Sequence, residues 1–249
     1  MLLLLTALGI SSCSTQYLVE GSTTDSRMEG MTLRLNQMRP GGNMAIDSAK
    51  VVHGQFVFSG TVDTITMATM ALPDDFPLLM VLEDGDINIS IENTRKQVSG
   101  SPLNESLYSF LGQLDALDGQ LDPMCFELSH LTHLSRMSQM MTGRFQESPY
   151  LIELRSKVSA MCRNREGLIA EFIIDNSDNV MGPYVFMVSV CDNSFPLTRT
   201  CVERIISDSH PQFFIDPFVA QFMRDNHLTI PSNAFAATGK QSGKRRKRQ

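Results

Sequence analysis

The feature that most constrains this chain is a change in the spacing of its apolar residues near Gly100. Before it, apolar and polar residues alternate, as in Met31–Leu35 and Ile87–Ile91, and a period of two is typical of strands that bury one face. After it, apolar residues recur every three or four positions, as in Leu103–Leu117, which is typical of amphipathic helices. Because strands and helices are segregated along the chain, we predict an α+β protein rather than a βαβ sheet.

The first half predicts an antiparallel β-sandwich or barrel-like domain over residues 14–100, because turn signals separate the strands at intervals of about 8–12 residues. Its clearest segment is IDSAKVVHGQFVFSG, Ile46–Gly60, which predicts a hairpin with its turn at Gly54. Phe56 and Phe58 should point to one face and lie in the core, and Val57 should point away.

The second half predicts a helical domain over residues 101–228. Ser-Pro pairs at 101–102 and 148–149 resemble an N-cap followed by the first helical residue. We predict six helices. The first begins at Pro102, the second spans Met124–Met141, and the third runs from Pro149 to the break at Asn176–Asn179. The last three are shorter and cover Met181–Val190, Leu197–Ser207 and Pro217–Asn226. Met137 and Met141 continue the apolar stripe of the second helix, so we predict that they are core residues.

The N-terminus resembles a lipoprotein signal over residues 1–13. The apolar run Leu2–Ile10 is too short to span a bilayer, which needs about 20 residues, but it suits the apolar region of a secretory signal. Cys13 follows small residues, as in a bacterial lipobox, and would become the lipidated first residue. The membrane, through this anchor, is therefore the first predicted partner. We expect a periplasm-facing protein of the cell envelope, with surface exposure as the alternative.

The charge distribution argues against nucleic acid as a partner. The net charge is −6, although six basic residues lie in the last ten positions, so the rest of the chain is strongly acidic and would repel phosphate. Residues 229–249 predict a solvated, disordered basic tail, whose alternative role is to assist an anchor at an anionic lipid surface.

Four cysteines remain besides Cys13, and an even number in an oxidising compartment permits disulfides. Cys191 and Cys201 flank a turn between two predicted helices and form the first candidate pair, whereas Cys125 and Cys162 form the second. Separate buried thiols are the alternative. No C-x-x-C motif is present, so the thioredoxin-type redox motif is absent from the sequence.

We identify no set of catalytic residues and predict no cofactor. His130 and His133 could share a helix face, but no third zinc ligand has a suitable spacing, so we predict no metal site. The acidic turns at 74–75 and 83–86 are expected to be solvated, which would leave their carboxylates unsuited to acid–base catalysis.

Several motifs in order resemble domain of unknown function 4369. That family has a strand ending in Asp-Ser, which turns at a Gly into a Phe-x-Phe-x-Gly strand, and later LExGxI and G-[ST]-x-x-N motifs. The matching segments are Tyr17–Gly21, Ile46–Ala49 with Gly54–Gly60, Leu82–Ile87, Ser99–Asn104 and Asn176–Gly182. Together they extend over residues 17–227.

The resemblance implies an extracytoplasmic lipoprotein, in which such a domain typically precedes a thioredoxin-like thiol–disulfide oxidoreductase domain. We expect this chain to lack that catalytic domain, because the residues after 228 are too few for a fold of about 100 residues. We therefore expect a non-catalytic binding or accessory module with an envelope protein as partner. The alternative is an accessory role in thiol–disulfide exchange, through a cysteine pair or a separate thioredoxin-like protein.

Overall fold

A computed structural model describes residues 15–39, 42–73, 77–92, 95–143 and 147–229. Cys13 and the basic tail lie outside the described residues. The chain divides into two compact units after Ser106, which lies near the start of the first helix.

The N-terminal unit contains eight strands in two four-stranded sheets. The strands are β1 Thr15–Thr23, β2 Thr32–Gln37, β3 Met44–Lys50, β4 Gln55–Val62, β5 Thr66–Met70, β6 Leu78–Leu82, β7 Gly85–Glu92 and β8 Arg95–Ser99. The sheet orders are β4-β1-β7-β8 and β3-β2-β5-β6. All neighbouring strands are antiparallel except β1 and β7, which are parallel. The predicted sandwich-like α+β arrangement is confirmed, with one parallel pair inside it.

The core of this unit follows the predicted alternation. Phe56 and Phe58 are buried, with 3% and 1% of their surface exposed, whereas Val57 between them is 53% exposed. Gly21 lies opposite Phe56 on β1, and a Cβ on Gly21 would lie 2.0 Å from the Phe56 ring. A glycine at this position therefore lets the aromatic ring lie flat across its strand neighbour.

The predicted hairpin has a real turn, but its strands belong to different sheets. His53 and Gly54 both have positive φ, 54° and 71°, as a two-residue type I′ turn requires. Val52 and Gln55 form the only bridge between the two arms in this part of the structure, and then β3 pairs with β2 while β4 pairs with β1. The prediction of a continuous hairpin is wrong, because alternation defines the buried face of a strand and not its partner.

The C-terminal part contains five α-helices in the described residues. They are α1 Pro102–Thr142, α2 Pro149–Asp175, α3 Met181–Val190, α4 Arg199–Asp208 and α5 Pro217–Asp225, with a 3₁₀ helix at Pro211–Ile215. A further 3₁₀ helix, Ser26–Met28, lies in the N-terminal unit between β1 and β2. The N-cap at Ser148 is confirmed, because its hydroxyl oxygen accepts a hydrogen bond from the Leu151 amide at 3.2 Å. No described helix is both long and apolar enough to cross a membrane.

Helix α1 replaces the two helices predicted for this stretch. It has 41 residues and continues through Pro123. Proline removes one helical hydrogen bond, but Pro123 lies on the exposed side, where water can satisfy the freed carbonyl group. Leu121 and Met124, on either side, belong to one hydrophobic cluster with Leu154 of α2. The apolar stripe is therefore continuous across the proline.

Two hydrophobic clusters stabilise the C-terminal unit. The larger contains residues of all five α-helices, and its aromatic pairs include Phe110 stacked on Phe172 at 4.1 Å. The smaller is formed by Leu121, Leu154 and Val158 with their neighbours. Met137 and Met141 belong to neither cluster and are 48% and 84% exposed. The prediction that they are core residues is wrong, because the last turns of α1 carry apolar residues beyond both clusters.

Candidate functional site

The most distinctive polar motif of the N-terminal unit joins a strand to the start of α1. Asn104 is fully buried. Its Oδ1 accepts a hydrogen bond from the Val81 amide at 2.9 Å, and its Nδ2 donates to the Val81 carbonyl oxygen at 2.8 Å and to Ser101 Oγ at 2.8 Å. An amide side chain can donate and accept at once, so Asn104 satisfies both backbone groups of a strand residue.

Glu83 caps the same helix from the end of β6. Its Oε1 accepts hydrogen bonds from the amides of Leu103 and Asn104 at 2.9 and 3.3 Å, which are among the donors that a helix N-terminus leaves unsatisfied. Glu83 is 7% exposed, so our expectation that this acidic turn is fully solvated is wrong for that residue. Asp84 is exposed and accepts from the Gln16 amide at 2.8 Å. These carboxylates and Asn104 therefore hold the structure together rather than face a ligand.

A groove lies on the outer face of the β4-β1-β7-β8 sheet. Its volume is about 480 Å³. Outward-pointing polar residues from all four strands line it: Glu20, Ser22, Gln55, Asn88, Ser90, Gln97 and Ser99. Strand register brings them into rows, because Ser22 lies beside Gln55 and Ser90, and Ser90 lies beside Gln97.

The polar side chains of the groove have no hydrogen-bond partners among the described residues. Within the described parts of the chain, none of the seven makes a side-chain hydrogen bond or an ion pair. Their amides and hydroxyls offer both donors and acceptors, and Val57 adds an exposed apolar surface at the rim. Glu20 is the sole charged residue among the lining residues, so the groove has no cation to attract an anionic ligand.

Sequence analysis did not single out these residues. Their signal was present, because they occupy the polar positions of alternating strands such as Asp86-Ile87-Asn88-Ile89-Ser90. The rows arise from strand partners distant in sequence, including the parallel β1–β7 pair and strand β8, whose charged sequence we did not predict as a strand. One sequence alone gives the outward face of each strand but not these neighbours.

The four described cysteines are free thiols. Cys201 is buried, and this burial raises the pKa of its thiol to about 11, with a further contribution from the nearby Glu166 carboxylate. The thiol donates a hydrogen bond to the Glu166 carbonyl oxygen at 3.8 Å. Cys191 is exposed. The Cys191–Cys201 disulfide and the lipidation of Cys13 remain predictions.

Cys125 of α1 and Cys162 of α2 pack against the same small cluster of Leu121, Leu154 and Val158. Burial raises the thiol pKa of Cys125, and proximity to Cys162 and to Asp122 raises it further. Each thiol is half-buried. The structure therefore brings together the pair that sequence analysis placed second.

The two histidines considered as zinc ligands, like the nearby methionines, lie on the surface of α1. His130 and His133 are exposed, and Met140 is 87% exposed. Among the described residues, no group of three or more His, Cys, Asp or Glu side chains could hold a metal ion.

An ion-pair network that sequence analysis missed joins three segments of the C-terminal unit. Arg165 of α2 is buried, and its guanidinium donates to both Asp118 carboxylate oxygens at 2.7 and 3.2 Å and to Asp192 at 3.2 Å. It also lies 5.0 Å from the centre of the Phe195 ring. This buried arginine is paired with two carboxylates of its own chain and therefore holds α1, α2 and the segment after α3 together.

Comparison with known proteins identifies the N-terminal part of the chain. Neither the curated proteins nor the solved structures gave a match. The family model described as Domain of unknown function (DUF4369) matches residues 17–107, which include all eight strands except the first two residues of β1, together with the Asn104 junction. The match agrees with the family that the motifs from Tyr17 to Asn104 indicated, and the Asn176–Gly182 motif lies outside it.

Proposed function

We propose that this protein is a lipid-anchored binding module of the bacterial cell envelope, and that its ligand binds in the groove on the outer face of the DUF4369 domain. The observation that carries the proposal is the row of amide and hydroxyl side chains across four strands, including Asn88, Ser90 and Gln97, which make no hydrogen bonds with the described residues. The other distinctive polar groups of the domain, Glu83 and Asn104, are already used in its structure.

The chemistry of the groove favours a neutral saccharide. A sugar presents hydroxyl groups that both donate and accept hydrogen bonds, and amide side chains match this pattern. The Glu20 carboxylate can accept from sugar hydroxyls, whereas it would repel a phosphate or a sulfate. Val57 offers an apolar surface for a C–H face of a sugar ring.

Ligand binding can be tested by calorimetric titration with neutral tetrasaccharides of glucose and of N-acetylglucosamine, with a sulfated oligosaccharide for comparison. We expect a neutral sugar to bind, and the double variant Asn88→Ala/Gln97→Ala to weaken binding at least tenfold. Thr61→Ala is the matched control, because Thr61 is exposed on the same sheet but does not line the groove. Preference for the sulfated sugar, or equal binding by the double variant, would contradict the proposal.

The lipid anchor is supported by the apolar run and Cys13 in the sequence. Labelled palmitate should enter the wild-type protein and not the Cys13→Ser variant. Globomycin should cause a larger precursor to accumulate. If the inhibitor leaves the size of the protein unchanged, the anchor is wrong, whereas binding by the groove would be unaffected.

A second candidate function is an accessory role in thiol–disulfide exchange, supported by the packing of Cys125 and Cys162 against one cluster. In such an exchange, the two thiols would lose two protons and two electrons and form one disulfide. A partner oxidoreductase would supply the disulfide that is reduced to a dithiol.

Mass-spectrometric thiol counting on protein from native membranes, with and without reductant, tests the exchange. A Cys125–Cys162 bridge that appears in part of the molecules would support it. The protein is also incubated with an excess of an oxidised thioredoxin-like protein. If all four thiols stay reduced, the exchange function is eliminated. Cys201→Ala should lower the total by one thiol and leave the Cys125–Cys162 bridge unchanged, because burial raises the pKa of the Cys201 thiol to about 11.

A further inference from the structure

Helix α1 has a second apolar stripe on the side that faces away from α2. Met124, Cys125 and Leu128 pack against the cluster that includes Leu154 and Val158 of α2. About half a turn around the helix from them lie Phe126, His130, His133, Met137 and Met140, all exposed. We refer to these five residues as the distal seam.

The distal seam is unusually apolar for a solvent-facing surface. Phe126 is 76% exposed, Met137 48% and Met140 87%, and the adjacent Leu134 and Met141 are 47% and 84% exposed. At on the order of 150 Å² for a side chain of this size, the five apolar side chains expose roughly 500 Å². An exposed apolar surface of several hundred Å² on a soluble protein is often functional, so this surface is a candidate for contact with another molecule.

The spacing of the seam shows what kind of surface would fit it. The intervals from Phe126 to Met140 are four, three, four and three residues, which is the spacing of a coiled-coil seam. Such a seam fits another helix with the same spacing, because side chains of each helix fill holes between side chains of the other. The last turns of α1, residues 136–142, are exposed on every side, so they leave room for a second helix.

We propose that the distal seam is a self-association surface that binds the distal seam of a second copy of this chain in antiparallel orientation. A two-fold axis between positions 131 and 132 would place Phe126 of each copy opposite Met137 of the other. It would place His130 opposite His133. Aromatic and thioether side chains make favourable contacts, and a two-fold contact of this kind closes after two copies.

The area fits a weakly associating dimer. The three apolar side chains of the seam in two copies, with the imidazoles between them, would bury roughly 900 Å² in total, which is the size of a weak or transient interface. The proposed register pairs residues 123–140, with Met140 of each copy opposite Pro123 of the other, and the only charged side chains in this stretch are Glu127 and Arg136. They lie on the two flanks of the seam rather than along it, so pairing would bury neither charge at the centre.

Co-purification of two differently tagged full-length copies from native membranes tests the association. Wild-type copies should co-purify, and Met137→Glu/Met140→Glu in both copies should reduce the yield of the second tag at least tenfold. Val188→Glu is the matched control, because Val188 of α3 has the same exposure as Met137, 48%. Equal loss with Val188→Glu would overturn the proposal. Two other results would overturn the proposal if no second copy is recovered. One is co-purification of a different protein that depends on Met137, and the other is binding to phospholipid vesicles that depends on Met137.

Disulfide trapping tests the antiparallel register. One tagged copy carries Phe126→Cys and the other Met137→Cys, and mild oxidation should give a cross-link between the two tags. Copies that both carry Phe126→Cys should not cross-link, because the two positions would lie about 16 Å apart along the helix axes. Chains without an added cysteine give the background from the native thiols. Efficient cross-linking of Phe126→Cys to itself would overturn the antiparallel arrangement.

Discussion

The two ends of α1 have opposite relations to their surroundings. At the first turn, the polar side chains are hydrogen-bonded to the backbone. Asn104 bonds to the amide and carbonyl groups of Val81 in β6, and Glu83 accepts from the Leu103 amide of the helix itself. At the last turns, Met140 and Met141 are almost fully exposed and touch neither hydrophobic cluster. On this helix, therefore, the polar residues mark a structural contact and not a binding surface. The polar end of this helix belongs to the folded core, and the apolar end is exposed to solvent.

The largest contrast is expected between two phenylalanines, one in each unit. Phe58→Ala should lower the free energy of unfolding by about 3–5 kcal/mol, because it removes a core ring and leaves a cavity. Phe126→Ala should change it by less than about 0.5 kcal/mol, because that ring is 76% exposed. Chemical denaturation of both variants measures the difference. A Phe58→Ala protein as stable as wild type would show that the aromatic strand does not form the core.

The next effect concerns the polar end of α1. Asn104→Ala should cost about 2–4 kcal/mol in unfolding free energy, because both backbone groups of Val81 lose a buried partner. Asn104→Asp should not restore stability, since a carboxylate cannot donate to the Val81 carbonyl oxygen and would be buried. Gln139→Ala, in the exposed last turns, is the control. If Asn104→Ala unfolds with the midpoint of wild type, the junction is not structural and Asn104 becomes a candidate for function.

The sequence predicted whatever depends on neighbours along the chain. The start of α1 at Pro102, the strand around Ile87–Ile91 and the break after α2 agree with the predictions. It did not predict what depends on distant partners. Strand β8, Arg95–Ser99, is charged and becomes a strand by pairing with β7, and α1 passes Pro123 because both sides of the proline pack on α2. The groove could not be predicted for the same reason, because its polar residues come from four strands, of which β1, β4 and β7 are distant from one another in sequence.

A smaller effect should follow pH through Glu29, which holds the His53–Gly54 turn. Hydrogen bonds from the amides of Gly54 and then His53 lower the Glu29 pKa. A lowered folded-state pKa contributes stability above the unfolded-state pKa, and this contribution is lost as pH falls through the folded value. Glu29→Gln should therefore be less stable than wild type at pH 7, and the difference should shrink below about pH 4.

Urea denaturation of wild type and Glu29→Gln between pH 7 and pH 3 measures this convergence. Glu20→Gln is the control, because the Glu20 carboxylate of the same unit accepts no hydrogen bond from the described residues. A constant difference between wild type and Glu29→Gln across the whole range would mean that the carboxylate does not hold the turn.

The smallest effect on stability is expected at the apolar end of α1. Met140→Gln should change the unfolding free energy by less than about 0.5 kcal/mol, because Met140 is 87% exposed and glutamine forms helix as well as methionine. The same change should reduce co-purification of two copies if the distal seam joins them. Thermal unfolding monitored by circular dichroism, at a concentration low enough to dissociate a dimer, measures the first quantity. A loss of 2 kcal/mol or more would mean that Met140 is buried within its own chain, and the contrast between the two ends of α1 would disappear.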